Sequence, residues 1–414
     1  MASKPTLVSR PHTHISMARP YHSKEIEDAV ISVIRSQRLV CGPVVASFEN
    51  ELASYLGANH VVAVSSGTAA LHLAFMAYDL KPGDEVITTA FSFASSTNAI
   101  LYCGAKPVFA DIDPRTYNIS PASIEALVTS RTVGIEPVHL YGQPAEMDEI
   151  RRIASKYGLW IVEDAAQAIG AQYKGEKIGG SRSGTAACFS TYCTKNLHTM
   201  EGGFIAVEND RMAERLKMIR NIGQNGKYNH VHFGFNYRMT EVQAAIGRAQ
   251  IPILDKLTAK RQENASRLTR MLQGLPGLVT PYSPPYVKHV YHQYTILVDP
   301  DEAGFTRDDL SRELAAAGIE TSVHYPTPIY LQPYFKQAVS GILGQEHLDD
   351  YRKGVCPVTE KVSNMILSLP VHPGLSRSDI EYIGEAITKC FSEHGKNIEG
   401  FQYAMSNRKA LDSF

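Results

Sequence analysis

Short apolar runs alternate with segments of helical periodicity over residues 50–210. Between several of these runs, as at residues 70–80 and 146–158, apolar side chains recur every three or four positions, as on one face of a helix. Strands that alternate with helices are typical of an α/β domain, and continuous apolar strands indicate a parallel sheet that is covered on both faces. We therefore predict a mostly parallel seven-stranded sheet with the strands HVVAV (60–64), EVITTA (85–90), PVFADI (107–112), VGIEPVHL (133–140), LWIVEDA (159–165), AACFSTY (186–192) and GFIAVEN (203–209).

The pattern changes after about residue 237. Residues 240–275 have the periodicity of a long helix, in which Pro252 predicts a kink or a break because proline has no N–H to donate. Two further strands and two further helices are predicted after a proline-rich segment: the strands at 292–299 and 319–325, and the helices at 306–318 and 376–395. We therefore expect a large α/β domain, a smaller α+β domain and a polar tail, with the boundaries 1–250, 251–395 and 396–414.

Charge and composition exclude several classes of protein. The 41 basic and 42 acidic residues give a net charge of −1, which provides no bulk attraction to nucleic acid or to an anionic membrane. No stretch approaches the ~18 apolar residues of a membrane span, and the start of the chain has no apolar signal segment. We therefore expect a cytoplasmic protein without a nucleic-acid or membrane partner. Its six cysteines lack metal-ligand spacing, so we expect free thiols and no metal site.

The first candidate for chemistry is the turn that follows the first predicted strand, Ser65-Ser66-Gly67-Thr68. The free N–H groups and the dipole at a helix start favour an anion, and Gly67 would let the backbone approach a phosphate. Alternatively, Ser66 or Thr68 is an ordinary helix N-cap. The turn has neither the Walker nor the GxGxxG pattern, which disfavours mononucleotide and dinucleotide binding.

Two further candidates stand at the ends of predicted strands. Asp164 ends a very apolar strand, at the edge where ligands bind in open α/β sheets. It could hold a metal, a ribose hydroxyl or a protonated ring nitrogen, or it could cap a helix that follows it. Lys195 follows another strand by a few residues. Such a lysine is usually solvated, but in a cleft its pKa falls and it can form a Schiff base, with Ser190 nearby to bind a phosphate.

These three features together match the requirements of pyridoxal 5′-phosphate (PLP). Its phosphate needs an anion site, its ring nitrogen needs a carboxylate that keeps it protonated, and its aldehyde needs an amine. The residues alone therefore favour a PLP enzyme.

Several segments also resemble the DegT/StrS-type sugar aminotransferases, a PLP-dependent family with the type I (aspartate aminotransferase) fold. The resemblance extends from about residue 15 to about residue 394. It is carried, in the order of the family, by SSGTAALHLA (65–74), SFASSTNAIL (92–101), PVHLYGQPAEMDEI (137–150), VEDAAQAIGA (162–171), KNL (195–197) with EGG (201–203), GFNYRMTEVQAAIG (234–247) and GIETSVHYPTPIYLQPYF (318–335).

The resemblance implies a role for each matching residue. Lys195 and Asp164 would be the catalytic residues, the first as the Schiff-base amine and the second against the pyridine nitrogen. The cofactor would be bound by Gly67, Thr68, Phe93, Asp164, Gln167, Ser190, Lys195 and, across a homodimer with shared active sites, Asn236 of the partner subunit. The segment at 318–335 would contact the sugar through His324, Tyr325 and Tyr330.

The activity that the resemblance implies is transamination of a nucleotide-linked keto-sugar, with an amino acid such as L-glutamate as donor and ping-pong kinetics. Two departures stand out, since Tyr330 replaces a frequent histidine and Thr199-Met200 replaces a frequent Thr-Gly. The alternatives are a cyclitol ketone aminotransferase, a PLP-dependent sugar dehydratase and a non-catalytic PLP-binding regulator. Lysine at position 195 argues against the dehydratases, which have histidine there. The lack of a basic stripe or a helix-turn-helix segment argues against the regulator.

Overall fold

Strands and helices alternate through most of the chain in the computed structural model, which describes residues 14–180 and 185–394. The strands are β1 (His60–Val64), β2 (Glu85–Thr89), β3 (Lys106–Ala110), β4 (Thr132–Ile135), β5 (Trp160–Asp164), β6 (Gln172–Tyr173), β7 (Glu176–Lys177), β8 (Ala186–Ser190), β9 (Gly203–Val207), β10 (Leu278–Val279), β11 (Val287–Lys288), β12 (Tyr294–Val298) and β13 (Ile366–Leu369). The helices are α1 (Lys24–Ser36), α2 (Pro43–Leu56), α3 (Gly67–Ala77), α4 (Ala94–Tyr102), α5 (Pro121–Ala126), α6 (Met147–Tyr157), α7 (Asp210–Arg220), α8 (Glu241–Gln250), α9 (Leu254–Leu272), α10 (Pro300–Ala303), α11 (Arg307–Ala316), α12 (Pro333–Ile342), α13 (Pro357–Ser363) and α14 (Arg377–His394). Short 3₁₀ helices lie at Leu140–Gly142, Ile251–Ile253, Ile329–Leu331 and Gln345–Tyr351.

A seven-stranded sheet has the strand order β1-β9-β8-β5-β4-β2-β3. The neighbouring pairs from β8 to β3 are parallel, whereas β9 runs antiparallel to both β1 and β8. Each of the seven predicted strands overlaps one of these strands, so the predicted mostly parallel sheet is confirmed. The parallel strands end at one edge, which is where ligands bind in open α/β sheets.

Two apolar cores cover the two faces of this sheet. Val86 and Ile87, adjacent in β2, belong to different cores because successive side chains of a strand point to opposite faces. One core takes its helical residues from α2, α5, α6, α8 and α9, and the other takes them from α3, α4 and α7. The second core holds the start of α3 against the strand ends, and α4 packs against α3.

A second, three-stranded sheet has the order β10-β12-β13 and is antiparallel. The strand predicted at 319–325 is wrong: Ile319 and Ser322 form only isolated bridges, to Ile15 and Ser368. The place beside β12 belongs to β13, which the sequence pattern did not reveal. The proposed domain boundaries at 250 and 395 stay predictions, and the predicted polar tail at 396–414 lies outside the described residues.

Two smaller predictions are confirmed. Pro252 interrupts the long helical segment, because α8 ends at Gln250 and α9 begins at Leu254 after a 3₁₀ turn. All six cysteines are free thiols. In the two described ranges, no helix combines the length and the apolar character needed to cross a membrane.

Candidate active site

The turn after β1 passes over the start of β9 and reaches the end of β8. In the sheet, Val64 and Ser190 both lie opposite Gly203. A Cβ atom on Gly203 would lie 2.6 Å from the carbonyl of Ser66, and a Cβ atom on Gly67 would lie 2.8 Å from Cβ of Ser190. The structure therefore brings Gly67 and Ser190 together, and glycine at 67 and 203 is what permits the contact.

Hydroxyl groups surround this turn at the N-terminus of α3. Ser66 is the N-cap, and its Oγ accepts a hydrogen bond from the Ala69 N–H at 3.1 Å, so the cap interpretation holds for Ser66. The Thr68 hydroxyl instead lies 2.7 Å from the hydroxyl of Ser95, the second residue of α4. With Ser190, these groups form a polar corner at a helix N-terminus, where N–H groups and the dipole favour an anion.

Asp164 ends β5 as a buried carboxylate, 5% exposed. Its Oδ2 accepts a hydrogen bond from the Ser96 hydroxyl at 2.8 Å, and its Oδ1 accepts one from the Ala166 N–H at 3.1 Å. Burial raises the pKa of Asp164 above its ordinary value, against the opposing effects of these two hydrogen bonds and of Lys195. No helix begins after Asp164 within the part of the chain that is described up to residue 180, so the helix-cap alternative for Asp164 is wrong.

Lys195 lies five residues beyond Ser190, the last residue of β8, and is close enough to Asp164 for their charges to interact. Burial lowers the pKa of its amine to about 8, and the negative charge of Asp164 raises it in opposition. The amine is therefore uncharged far more often near neutral pH than an ordinary lysine amine, which favours a nucleophile or a general base. This environment differs from the solvated surface that is usual for a lysine.

Gln167 is fixed between two tyrosines. Its Oε1 accepts a hydrogen bond from the Tyr141 N–H at 2.6 Å, and its Nε2 donates to the Tyr325 hydroxyl at 2.7 Å. The two tyrosine rings are stacked with an interplanar angle of 11°. Both tyrosines have left-handed backbone conformations, with φ of 57° and 66°, which non-glycine residues adopt at a cost. Tyr141 was not singled out from the sequence.

Two neutral histidines lie near the lysine. Burial, followed by the charge of Lys195, lowers the pKa of His324 to about 4, and its Nδ1 lies 2.9 Å from the Ser368 hydroxyl. The same two causes, in the same order, hold the pKa of buried His292 well below its ordinary value. His292 was also missed in the sequence, where nothing distinguishes it from the nearby His289.

The remaining predicted residues lie in different surroundings. Phe93 is 64% exposed and directly precedes α4, so its ring is free to cover a ligand. Asn236 is exposed and forms an isolated bridge with Asn221 beside the turn after β1. Tyr330 is fully buried in a separate apolar cluster, where its hydroxyl donates to Glu360 at 2.6 Å and accepts from the Cys356 N–H at 3.1 Å. The predicted direct contact of Tyr330 with the sugar is therefore wrong, and Tyr330 packs within this cluster instead.

The donor set fits PLP. The helix start at Gly67 with its hydroxyl groups suits the phosphate, the buried carboxylate of Asp164 suits a protonated ring nitrogen, and the amine of Lys195 suits the aldehyde. Asp164 needs such a cation, because a buried carboxylate is costly unless a positive charge faces it. The acidic and basic groups are therefore of the kinds that this cofactor requires.

Comparisons with known proteins agree with this chemistry. The chain is 42% identical over 370 residues to the "Pleiotropic regulatory protein" of Geobacillus stearothermophilus, which covers 89% of the chain and 94% of that protein. It is 38% identical over 365 residues to the UDP-2-acetamido-2-deoxy-3-oxo-D-glucuronate aminotransferase of Pseudomonas aeruginosa, with 88% and 95% covered. The solved structure of S. venezuelae DesV superposes with a TM-score of 0.83 at 36% identity, over 89% of this chain and 94% of that chain. Since the profile of the DegT/DnrJ/EryC1/StrS aminotransferase family also matches residues 20–388, the chain belongs to that family, and its fold is the type I fold of PLP-dependent sugar aminotransferases.

Proposed function

We propose that this aminotransferase uses PLP to move an amino group from an amino acid, L-glutamate in the first instance, to a nucleotide-linked keto-sugar. The observation that carries the proposal is Lys195, an amine whose pKa burial lowers to about 8 while the charge of Asp164 acts on it. A lysine with that pKa can serve in turn as nucleophile, base and acid near neutral pH.

Bound PLP supplies an aldehyde that takes up the amino group and a ring that withdraws electrons. The chain's own residues would hold it at three points. Gly67, Thr68 and Ser190 would bind the phosphate, and Phe93 would cover one face of the ring. Asp164, oriented by Ser96, would hold a proton at the ring nitrogen, since an ionised carboxylate stabilises a facing cation.

Lys195 would carry out the proton transfers. Its Nζ would take the proton from Cα of the amino donor and return a proton to the carbon that accepts the amine. His292 and His324 would remain neutral beside it, because burial and the lysine charge both lower the pKa of each ring. A single lysine that serves both half-reactions implies ping-pong kinetics, in which the keto acid leaves before the sugar binds.

The name of one relative supports the substrate class. The Pseudomonas relative is named as an aminotransferase of a UDP-linked 3-oxo sugar. On that basis we propose a nucleotide-linked ketone as the acceptor here, with amino-sugar biosynthesis as the role.

A second candidate function deserves a test because of the Geobacillus relative, whose name describes a regulatory protein. A non-catalytic PLP-binding regulator would not need an amine of lowered pKa. Lys195 and its buried neighbour Asp164 therefore favour the enzyme. Single-turnover amine transfer separates the two functions, because a non-catalytic protein would release no keto acid.

We further propose that the working unit is a homodimer with shared active sites. Large apolar side chains are exposed on the segment that precedes Asn236: Ile222, Tyr228, Val231 and Phe233, with Tyr228 and Phe233 each 79% exposed. Exposed apolar patches of this kind mark interaction sites. A second copy that covered this segment could bring Asn236 of the partner subunit to the polar corner at the N-terminus of α3.

The decisive experiment combines purified enzyme, PLP, ¹⁵N-labelled glutamate and a panel of UDP-, TDP- and GDP-linked keto-sugars. Mass spectrometry should detect one aminated sugar that contains the label, and 2-oxoglutarate should form with the enzyme before any sugar is added. Labelled product from a cyclitol ketone alone would select that alternative, and loss of water without label transfer would select the dehydratase.

A further inference from the structure

Glu136, the residue that follows β4, is a carboxyl group that the mechanism above does not use. It is 0% exposed, and neither of its carboxyl oxygens has a hydrogen bond of ordinary geometry within the described residues. The hydroxyl of its neighbour Thr88 is likewise buried without such a bond. Buried polar groups are nearly always paired, so an unpaired carboxyl group requires an explanation.

Strand register places the side chain of Glu136 on the same face of the sheet as the side chain of Asp164. Ile135 lies opposite Ile87 of β2 on one side and opposite Ile161 of β5 on the other. Glu136 is one residue beyond Ile135, and Asp164 is three residues beyond Ile161. Both offsets are odd, so the two carboxyl side chains lie on the same face of the sheet, opposite the face of the isoleucines.

The surroundings of Glu136 disfavour a negative charge. Burial, followed by the charge of Asp164, raises its pKa well above the ordinary value, against an opposing effect of Thr88. Cys188 of β8 lies on the same face, and burial and the charge of Asp164 raise the pKa of its thiol well above the ordinary value. The nearby cation, Lys195, acts on Asp164, and no cation of the described residues acts on Glu136.

Glu163, the neighbour of Asp164 in β5, is a buried carboxylate whose surroundings stabilise the charged form, and it provides a comparison for Glu136. It is also 0% exposed, but it accepts hydrogen bonds from His139 at 2.7 Å and from the Thr185 hydroxyl. Because Nδ1 of His139 accepts from the Ala145 N–H, its Nε2 carries the proton and donates it to Glu163. These bonds outweigh burial and lower the pKa of Glu163, whereas Glu136 has no equivalent partner in the described chain.

We propose that Glu136 is a positioning residue that keeps its proton in the folded protein and so leaves Asp164 as the single charged carboxylate at this point of the sheet. Once the pH exceeds the raised pKa of Glu136, its proton passes to solvent, and a second negative charge then lies near Asp164. That charge favours retention of the proton at the cofactor's ring nitrogen. The proposed effect of Glu136 on the proton at the cofactor's ring nitrogen rests on the proposed role of Asp164. The proposed protonation of Glu136 does not depend on that role.

The first test uses the cofactor-free protein and needs no substrate. An acid that stays neutral in the fold but ionises when unfolded costs stability increasingly as pH rises above its unfolded pKa, 4.5. Relative to Glu136→Gln, the unfolding constant of the wild type should rise by up to about tenfold per pH unit above that value. Glu163→Gln is the matched control: because the pKa of Glu163 is lowered, its stabilising effect is lost only as the pH falls below 4.5, and no slope should appear above that value.

The pH dependence of the stability difference tests the proposal, because the buried amide of Glu136→Gln changes the free energy of unfolding by the same amount at all pH values. Glu136→Met should give the same slope if Glu136→Gln does not fold. In the wild type itself, the infrared band of a protonated carboxyl group should be present at pH 8 and survive in Asp164→Asn. A stability difference that is independent of pH, or absence of that band, would overturn the proposal.

The second test compares rate–pH profiles of the PLP-loaded enzymes, each normalised to its maximum. The alkaline limb of Glu136→Gln should lie at lower pH than that of the wild type, by about one unit, because the variant cannot develop the second charge. Coincident alkaline limbs would overturn the effect on Asp164. If Asp164→Asn retains full turnover, the proposed role of Asp164 fails instead, and the stability slopes still report on Glu136.

Discussion

The hydroxyl of Ser96 donates a hydrogen bond to Oδ2 of Asp164 at 2.8 Å, although the two residues belong to different layers of the fold, α4 and β5. Ser96 has one hydroxyl proton, so the 2.9 Å contact with Ser92 must place the donor on Ser92. A relay of two hydroxyl groups thus fixes one oxygen of the carboxylate.

Ser96→Ala should lower turnover by about ten- to a hundredfold, because a hydrogen bond to a charged group contributes about 1.5–3 kcal/mol. The loss should fall on kcat, with KM for the sugar little changed, and steady-state kinetics with varied sugar will measure it. Ser47→Ala, at an exposed hydroxyl on α2, is the control. Equal kcat in Ser96→Ala and wild type would show that Asp164 needs no such support.

Borohydride reduction of the PLP-loaded protein should attach the cofactor to the peptide that contains Lys195. Lys195→Ala should fold, bind PLP without covalent attachment and lose turnover, because among the described residues Lys195 is the lysine whose charge acts on Asp164. Peptide mapping by mass spectrometry checks the attachment site. A label on Lys174 or Lys177 would contradict the assignment.

The rate of PLP capture by the cofactor-free protein should rise with pH to an inflection near 8, since the amine of Lys195 must be uncharged and burial lowers its pKa to about 8. The charge of Asp164 raises this pKa, so its removal in Asp164→Asn should move the inflection to lower pH. Stopped-flow absorbance across pH 6–10, a range of about four units around the expected value, measures both profiles. An inflection that moves to higher pH in the variant would contradict the electrostatic relation between the two residues.

Gly67→Ala should weaken PLP binding and lower thermal stability, because the new Cβ atom would lie 2.8 Å from Cβ of Ser190. Overpacking of this kind costs about 1–3 kcal/mol. The double variant Gly67→Ala/Ser190→Gly removes the clash and should recover melting temperature without recovering phosphate affinity. If the single variant melts like the wild type, the turn is looser than the structure shows.

Mixing Lys195→Ala with Asn236→Ala tests the proposed sharing of active sites between subunits. In a shared-site heterodimer one site carries both substitutions and the other carries neither, so activity should partly return on subunit exchange. Asn236→Ala alone should be impaired by about 1.5–3 kcal/mol, the value of one hydrogen bond to a charged phosphate. No recovery, once exchange is demonstrated, would place the whole site within one chain.

The sequence predicts those parts of the site that depend on local order along the chain. Gly67 and Lys195 follow apolar strands and Asp164 ends one, and parallel strands end at one edge, so their proximity could be inferred. Ser96 and Tyr141 could not, because their partners are 68 and 26 residues away in sequence and meet them only through the packing of α4 and the turn at Tyr141.

The second sheet shows the same limit. Residues 319–325 have the β-branched composition of a strand, yet only Ile319 and Ser322 form bridges. The strand beside β12 is β13, and composition alone does not decide which of two similar segments takes that place. Tyr330 likewise matched a site segment by order, but its burial against Phe109 is a tertiary property.

Gly203 restricts which substitutions the polar corner at the N-terminus of α3 can tolerate. The strands β1 and β8 are not neighbours, and the corner joins them across the first residue of the strand that separates them. Because the Ser66 carbonyl occupies the space where a side chain of residue 203 would stand, the smallest substitution would part the two halves of the corner. The anion site therefore depends on the absence of a side chain at residue 203 of β9. A substitution of Gly203 would abolish anion binding, although residue 203 is not among the groups proposed to contact the ligand.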